Sequence, residues 1–439
     1  MNSYVDQHEF IQRIAPAVGW FFALAALLNV GAAAYAGRAR RWGRTVLWLA
    51  AAAGFAALAG LACAGRPLEL PEAFKTGLDA ALGPVTFSAA ALAALVVFYL
   101  GRRLFVVPAV AWTLLDLSLV WMGLSLADRS FAAIVGKPDN LPIVAMVYLL
   151  GFFTWLATAQ AVRNDDRLAR GLPPVEKDYA DTVLVWPDVI YLELIGCILG
   201  TIVLVVWSLL VRAPLEQPAN PVLTPNPSKA PWYFLGLQEM LVYFPPWMAG
   251  VVLPALIIFG LLAIPYLDVN PKGNGYYTIR QRPFAYLAFQ SGFLLWVLLI
   301  LIGTFLRGPN WNFYGVYQPQ DPHQVAAMTN ISLSEFFWIL GLGRSLPETP
   351  PGSGAIVQLG YILCREAPGL ALLGLYYLAL PPLLAVTLLG NVRRRMGRAR
   401  YAILMLLGLT MLILPLKMVL VWTLHLNYLV SIPEYFFNF

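Results

Sequence analysis

Residues 218–244 read PANPVLTPNPSKAPWYFLGLQEMLVYF and lie between two strongly apolar stretches, which makes them a long insert at a membrane surface. The insert carries the run Pro231, Trp232, Tyr233, Phe234, then the carboxylate of Glu239 seven residues after Trp232, then Tyr243. Proline and aromatic faces at the membrane edge suit a flat, lipid-soluble ring, and a carboxylate beside them can take a proton from it. The same residues also fit a plainer account. Trp232, Tyr233 and Tyr243 would form an interfacial aromatic belt, and Glu239 would be a solvated carboxylate on the outer face. Two further ionisable residues, Asp116 and Lys417, fall near the middle of apolar stretches. A charge at membrane depth is costly unless paired or hydrated, so both are functional-site candidates by default. The plainer alternative is a structural ion pair, between these two or with other residues; nothing in the sequence places either near the 218–244 insert. Glu193 lies closer to the end of its stretch and is more easily hydrated.

The elements that must position these groups follow from composition. Of 439 residues, 60% are hydrophobic and 12% charged, where a soluble domain carries about 25% charged residues; the mean hydropathy is +0.70. Apolar runs of about 20 residues recur. Their continuity selects helices over barrel strands, the two structures that satisfy the backbone in lipid. The chain is expected to be an all-α, polytopic transmembrane helical bundle of about ten spans, at 16–36, 45–64, 84–101, 106–126, 141–162, 185–211, 248–267, 284–306, 367–389 and 402–428. The third is the weakest, being short and joined to the fourth by Gly101–Phe105 alone, while Pro108 suits a helix start.

Charge provides an independent check. The loops after spans 1, 3, 5, 7 and 9 hold 18 Lys or Arg, densest at Arg38–Arg41 and Arg393–Arg395, against 10 in the longer loops of the opposite side. The positive-inside rule makes the basic loops cytoplasmic. Both termini and the 218–244 insert then face the outer side. The net charge of +6 follows from this bias, and without a basic, aromatic-laced soluble domain it does not indicate nucleic acid. Residues 1–9 are polar with acidic residues and lack a basic n-region, so the first span is expected to remain in the mature protein rather than leave as a signal.

Cysteine and histidine are scarce. Cys63, Cys197 and Cys364 are far apart, with no CxxC or CxxCH, and His8, His323 and His425 offer no facing pair within the spans. This chain alone is therefore expected to ligate no metal, haem or iron–sulfur cluster. His323 reads as a solvated loop residue and His425 as interfacial. No phosphate-binding G-x-x-x-x-G-K-[ST] is present, and no internal repeat of the transporter kind. Within the long 307–366 segment, the apolar stretch Ile331–Leu342 is too short to span and is expected to lie along the surface.

Residues of about 164–306 resemble the C-terminal half of cytochrome b, which occurs as a separate subunit IV in some quinol–cytochrome c or plastocyanin oxidoreductases. The resemblance rests on Arg167–Gly171 before Trp186-Pro187-Asp188, on Glu216–Pro221, on Ala230–Phe234, on Ile264–Pro271 and on Arg280–Pro283, in that order and at that spacing between spans. It implies that the loop forms part of a quinol-oxidation site, with Pro231, Trp232, Tyr233, Phe234 and Tyr243 binding the quinone. The family signature there is Pro-Glu-Trp-Tyr, whose Glu is thought to accept a quinol proton. Pro231 stands at the Glu position and cannot accept one, a change that leans towards menaquinol. Glu239 is the nearest carboxylate on the matching hairpin and the candidate substitute. The chain also departs from the family in front of the match, where five histidine-free spans replace the haem-bearing helices.

The organisation expected is a non-haem five-span domain at 1–163, a subunit IV-like domain at 164–306, an outer segment at 307–366 and two final spans at 367–439. The resemblance implies a multi-pass subunit in a bacterial inner (cytoplasmic) membrane, within a multi-subunit complex, for which a dimer is one arrangement, surrounded by lipids. Its partners would be a haem-bearing cytochrome b, a Rieske-type iron–sulfur protein and a c-type cytochrome. Quinol would give one electron to the iron–sulfur centre and one to the b haems, releasing its protons outside. The competing classes are a secondary transporter or channel, suggested by ten spans with Asp116 and Lys417, and a scaffold that has kept the fold and lost the site.

Overall fold

The computed structural model describes residues 2–178, 182–210, 218–222, 224–272, 275–324 and 330–439. Glu216, Gln217, the last residue of the expected sixth span and the side chain of His8 lie outside the described residues. The apolar runs form helices: α1 (Asn2–Arg38), α2 (Trp42–Cys63), α3 (Glu72–Ala81), α4 (Pro84–Leu100), α5 (Pro108–Ser125), α6 (Arg129–Val135) and α7 (Leu141–Ala169). There follow α8 (Val185–Leu210), the short α9 (Trp232–Met240), α10 (Met248–Leu267), α11 (Pro283–Leu306), α12 (Ala355–Arg365), α13 (Ala367–Val386) and α14 (Arg398–Leu424). Proline sits in the first turn of α4, α5 and α11, where its missing N–H costs nothing and its fixed φ suits the helix. The protein is an all-α polytopic bundle. Among the described residues nine helices are long and apolar enough to cross a membrane, or ten if α3 and α4, bent by 87° at their junction, form one span.

Contacts at its two ends show that α4 crosses the bundle. Before α4, Lys75 pairs with Asp128 at 2.8 Å and Asp79 accepts from the Tyr317 amide. After it, Arg103 pairs with Asp166 at 2.6 Å, while the neighbouring Asp165 accepts from the Arg280 amide at 3.1 Å. The loops around 103, 165 and 280 therefore gather at one end and those around 75, 128 and 317 at the other. This is the same partition that the basic-residue count makes.

Lipid tails remove the hydrophobic driving force between spans, so helices associate through close contact of small residues. α1 and α2 meet in this way, through Ala25, Ala33, Ala36, Ala52, Ala59 and Ala62, all buried. The largest core lies towards the other side of the molecule. There Met240, Tyr243, Phe244, Met248, Leu298, Leu299, Ile302 and Leu306 pack with Ile413, Leu414 and Met418 of α14. α4 and α8 have no buried residue, and α8 is exposed along nearly its whole length.

Several boundaries differ from the sequence reading: α1 begins at Asn2 rather than 16, α7 runs on to Ala169 rather than 162, and α13 ends at Val386 rather than 389. The last span ends at Leu424, not 428, because His425 takes a left-handed conformation at φ 54°. The chain then leaves the helix as a strand, β2 (Leu426–Tyr428), parallel to β1 (Ile331–Ser332). Apolar content alone does not distinguish these residues from one more helical turn. A second small pair, β3 (Ser431–Ile432) with β4 (Phe437–Asn438), completes a cap over this end. Within 331–342 the chain runs from β1 into a short helical stretch opened by a Ser332–Glu335 capping box, which is again too short to span.

Candidate functional site

α9 starts where the Pro-rich loop ends. Pro231 holds the extended conformation before the first turn. Gln238 folds the loop back on the helix, accepting from the Ala230 amide at 2.7 Å and donating to the Ser228 carbonyl at 2.8 Å. The helix rests on α11 at Gly303, where a Cβ would come within 2.6 Å of the Leu235 side chain and force it to shift. Its two faces differ sharply. Trp232, Tyr233 and Phe234 are 36%, 49% and 52% exposed, while Leu235, Gly236, Glu239 and Met240 are buried. The three exposed rings form a run of contacts, with Trp232 and Tyr233 centroids 5.6 Å apart and Tyr233 and Phe234 4.7 Å apart.

Glu239 is 0% exposed, so it is not the solvated carboxylate of the plainer account. Arg307, the residue that follows α11, donates from Nη2 to Oε1 at 2.7 Å and from Nε to Oε2 at 3.0 Å. The Tyr243 hydroxyl donates to Oε1 at 2.8 Å, and Arg307 Nη1 donates to the Trp311 carbonyl at 2.9 Å. Such a fork-on-carboxylate pair is among the stronger hydrogen-bonded arrangements. Oε1 accepts from both Arg307 and Tyr243 while Oε2 accepts from Arg307 alone, so Oε2 keeps acceptor capacity for a proton, and protonation there would weaken the pair with Arg307. Burial, reinforced by the Glu239 charge, pushes the Tyr243 phenol well above its usual value, which keeps it a donor. Burial opposes the Arg307 charge, but Glu239 outweighs it and the guanidinium is raised. Nearby, the Lys229 ammonium reaches in to the Thr304 carbonyl at 2.8 Å. Burial and the charge of Lys137 lower it to about 8.

The expected site residues thus separate into two groups. Trp232, Tyr233 and Phe234, with Pro231 before them, make the open wall. Tyr243 is 1% exposed and its ring meets Trp422 at 5.6 Å, so it supports the site from inside, together with Glu239. Arg307 was not foreseen. Its signal was a single arginine placed directly after an apolar span, on the side poor in basic residues.

Asp116 and Lys417 do not pair with each other, and among the described residues neither forms an ion pair. Asp116 Oδ1 accepts from Asn29 Nδ2 at 2.8 Å, and Asn29 Oδ1 accepts from Trp112 Nε1 at 3.0 Å. Lys417 is 0% exposed, donates to the Asn427 carbonyl at 2.7 Å and lies 4.9 Å from the Phe244 ring centroid. It therefore does lie beside the hairpin, contrary to the sequence reading, because the C-terminal cap brings α14 against residues 243–248. His323 and His425 are both exposed. Among the described residues no group of three or more His, Cys, Asp or Glu is placed to hold a metal ion.

No solved structure matches the chain. Residues 218–317 match the family described as Cytochrome b(C-terminal)/b6/petD. The match begins at the Pro-rich loop and extends past α11 to include Arg307, which the sequence reading had assigned to the following segment. The segment that carries α9, Glu239 and Arg307 belongs to this family, whose members imply a membrane subunit of the quinol:cytochrome oxidoreductase type.

Proposed function

We propose that this chain is a membrane subunit of a menaquinol:cytochrome c oxidoreductase and contributes one wall of its outer-side quinol-oxidation site. The observation that carries this reading is the two-faced α9, whose exposed run Trp232, Tyr233 and Phe234 stands on a buried Glu239–Arg307 pair within the family segment. Aromatic faces on a rigid support suit a planar ring, since pockets for such ligands are mainly apolar with a few fixed polar groups. The remaining wall, the b haems, the iron–sulfur centre and the c-type cytochrome belong to other subunits. α8, whose whole surface is open to lipid or to a partner, is consistent with a larger assembly. The bias of basic loops puts the hairpin and both termini on the outer side of a bacterial inner membrane, where quinol protons are released.

In this proposal Glu239 is the chain's proton acceptor, taking the proton as quinol binding loosens one of its bonds to Arg307 or Tyr243. Glu239→Gln keeps the shape and removes the charge. With general-base contributions of about 10²–10⁴-fold, quinol oxidation per assembled complex should fall by that order; the yield of complex is measured alongside, because Gln leaves Arg307 without its countercharge. A loss below roughly threefold would place the acceptor on a partner subunit. A second reading, a scaffold that has lost the site, is favoured by one observation, the occupation of both Glu239 oxygens by donors. The transporter reading keeps the span count in its favour, while Asp116 and Lys417, in separate networks, lend it less support.

A further inference from the structure

We propose that the five-span N-terminal region, which lies outside the family match, sets the geometry of the Glu239–Arg307 pair through Tyr317, a positioning residue. This deepens the quinol-site reading and rests on it for its kinetic arm alone. Tyr317 is the last residue of the matched segment, and three N-terminal helices hold it. Its hydroxyl lies 2.8 Å from Ser125 Oγ at the end of α5. Its ring stacks on Phe131 of α6, with centroids 5.6 Å apart and planes 25° apart. Its amide donates to Asp79 Oδ1 of α3 at 3.3 Å. Gly315, two residues before, has no room for a side chain, because a Cβ there would overlap the Asp79 carboxylate.

The socket is itself locked. Asp128 caps α6 by accepting from the Ser130 and Phe131 amides at 3.0 Å, and it receives Lys75 of α3 at 2.8 Å. From the socket the connection back to the site is short and tightly bonded. The Tyr314 amide donates to the Leu306 carbonyl at 2.8 Å, and Arg307 bridges to Phe313. The guanidinium of Arg307 grips the Trp311 carbonyl with one nitrogen and Glu239 with the others. The Pro-rich loop is tied to the same arm, since the Asn310 amide donates to Asn226 Oδ1 at 2.6 Å and Asn226 Nδ2 returns a bond at 2.9 Å. A displacement at Tyr317 therefore moves the 306–317 arm, the arginine it carries and the loop that leads into α9. A misplacement of about 1 Å far from a reacting centre can cost up to 10²-fold in rate, so the connection has functional reach.

The test uses the full chain within its native membrane complex. Amide hydrogen exchange over residues 232–244 is measured in the wild type, Tyr317→Ala and Tyr317→Phe, together with KM and kcat for a soluble quinol analogue. Tyr317→Ala should speed exchange in α9 and lower kcat by roughly tenfold, with little change in the amount of complex. Tyr317→Phe, which keeps the stacked ring, should restore most of both. Unchanged exchange in α9 with Tyr317→Ala overturns the proposal. Faster exchange with unaltered quinol kinetics supports the positioning role and instead contradicts the quinol-site reading. If Tyr317→Ala does not accumulate, Gly315→Ala pushes the arm off Asp79 while retaining the ring, and unchanged α9 exchange in that variant overturns the proposal equally.

Discussion

Two carboxylates, Glu239 and Asp116, meet the same problem in different ways. Glu239, on the short α9 beyond the spans, is sealed from solvent and answered by a full countercharge plus a phenol. Asp116, within a span, is met by a neutral amide that is in turn oriented by an indole. A buried charge pair is intolerant of losing one partner, because the other is left uncompensated, whereas a neutral hydrogen bond can be traded for another. The Glu239 region is therefore a rigid fixture whose geometry the chain defends. The Asp116 network joins α1 to α5 through a neutral amide, so the carboxylate's charge is expected to be dispensable there.

The largest expected effect breaks the first half of this comparison. Arg307→Ala should destabilise the hairpin by about 3–5 kcal/mol, the usual cost of stranding one member of a buried pair. The check is loss of assembled complex and of its thermal midpoint. Replacing both members, Arg307→Met with Glu239→Leu, should recover much of the stability and none of the turnover. Recovery by the double variant separates the pair's structural contribution from its chemical one. Truncating the open face should act differently. Tyr233→Ala and Phe234→Ala, at half-exposed positions, should leave assembly intact and weaken quinol binding by roughly 1–2 kcal/mol each, in line with ring-stacking contributions. Dissociation constants of a quinone-site inhibitor would read this.

Asp116→Asn tests the other half and should be nearly silent. It preserves the acceptor for Asn29 and changes stability by about 1 kcal/mol or less; a collapse of the complex would show that the charge matters after all. The smallest effect is one of pH. The Lys229 ammonium titrates near 8 in the folded chain, below the ordinary lysine value of 10.5. Between those values the unfolded state binds more protons, so stability should rise gently with pH across that window. Below it the charged lysine is carried at a cost. Lys229→Met should flatten that part of the thermal-midpoint profile. Because Lys229 as a residue is exposed, solvent keeps the slope shallow.

Much of the architecture was legible because apolar runs and basic loops are local signals. A helix also stands at the weak span 84–101, bent by 87° from the helix before it. Partners distant in sequence were not legible. Glu239 was legible as a candidate acceptor but not as a buried one, because Arg307 lies 68 residues away, with two spans between them. Lys417 looked remote from the hairpin because the residues that bring them together form a small strand cap rather than a span. The aromatic run was correctly seen as the notable local feature, but which of its rings stay open and which turn inward depended on the packing of α9 against α11. Tyr243 illustrates this, being aromatic and close in sequence yet wholly internal.

The central claim is that the exposed edge of α9 is part of a quinol site, and a photoreactive quinone analogue applied to the native membrane complex tests it most directly. Labelled peptides would be identified by mass spectrometry, with and without excess quinol. The account predicts covalent label within residues 231–241, suppressed by quinol and absent from the α1–α2 and α5 peptides around Asp116. Label confined to partner subunits, with residues 231–241 untouched while the complex turns over, would contradict it.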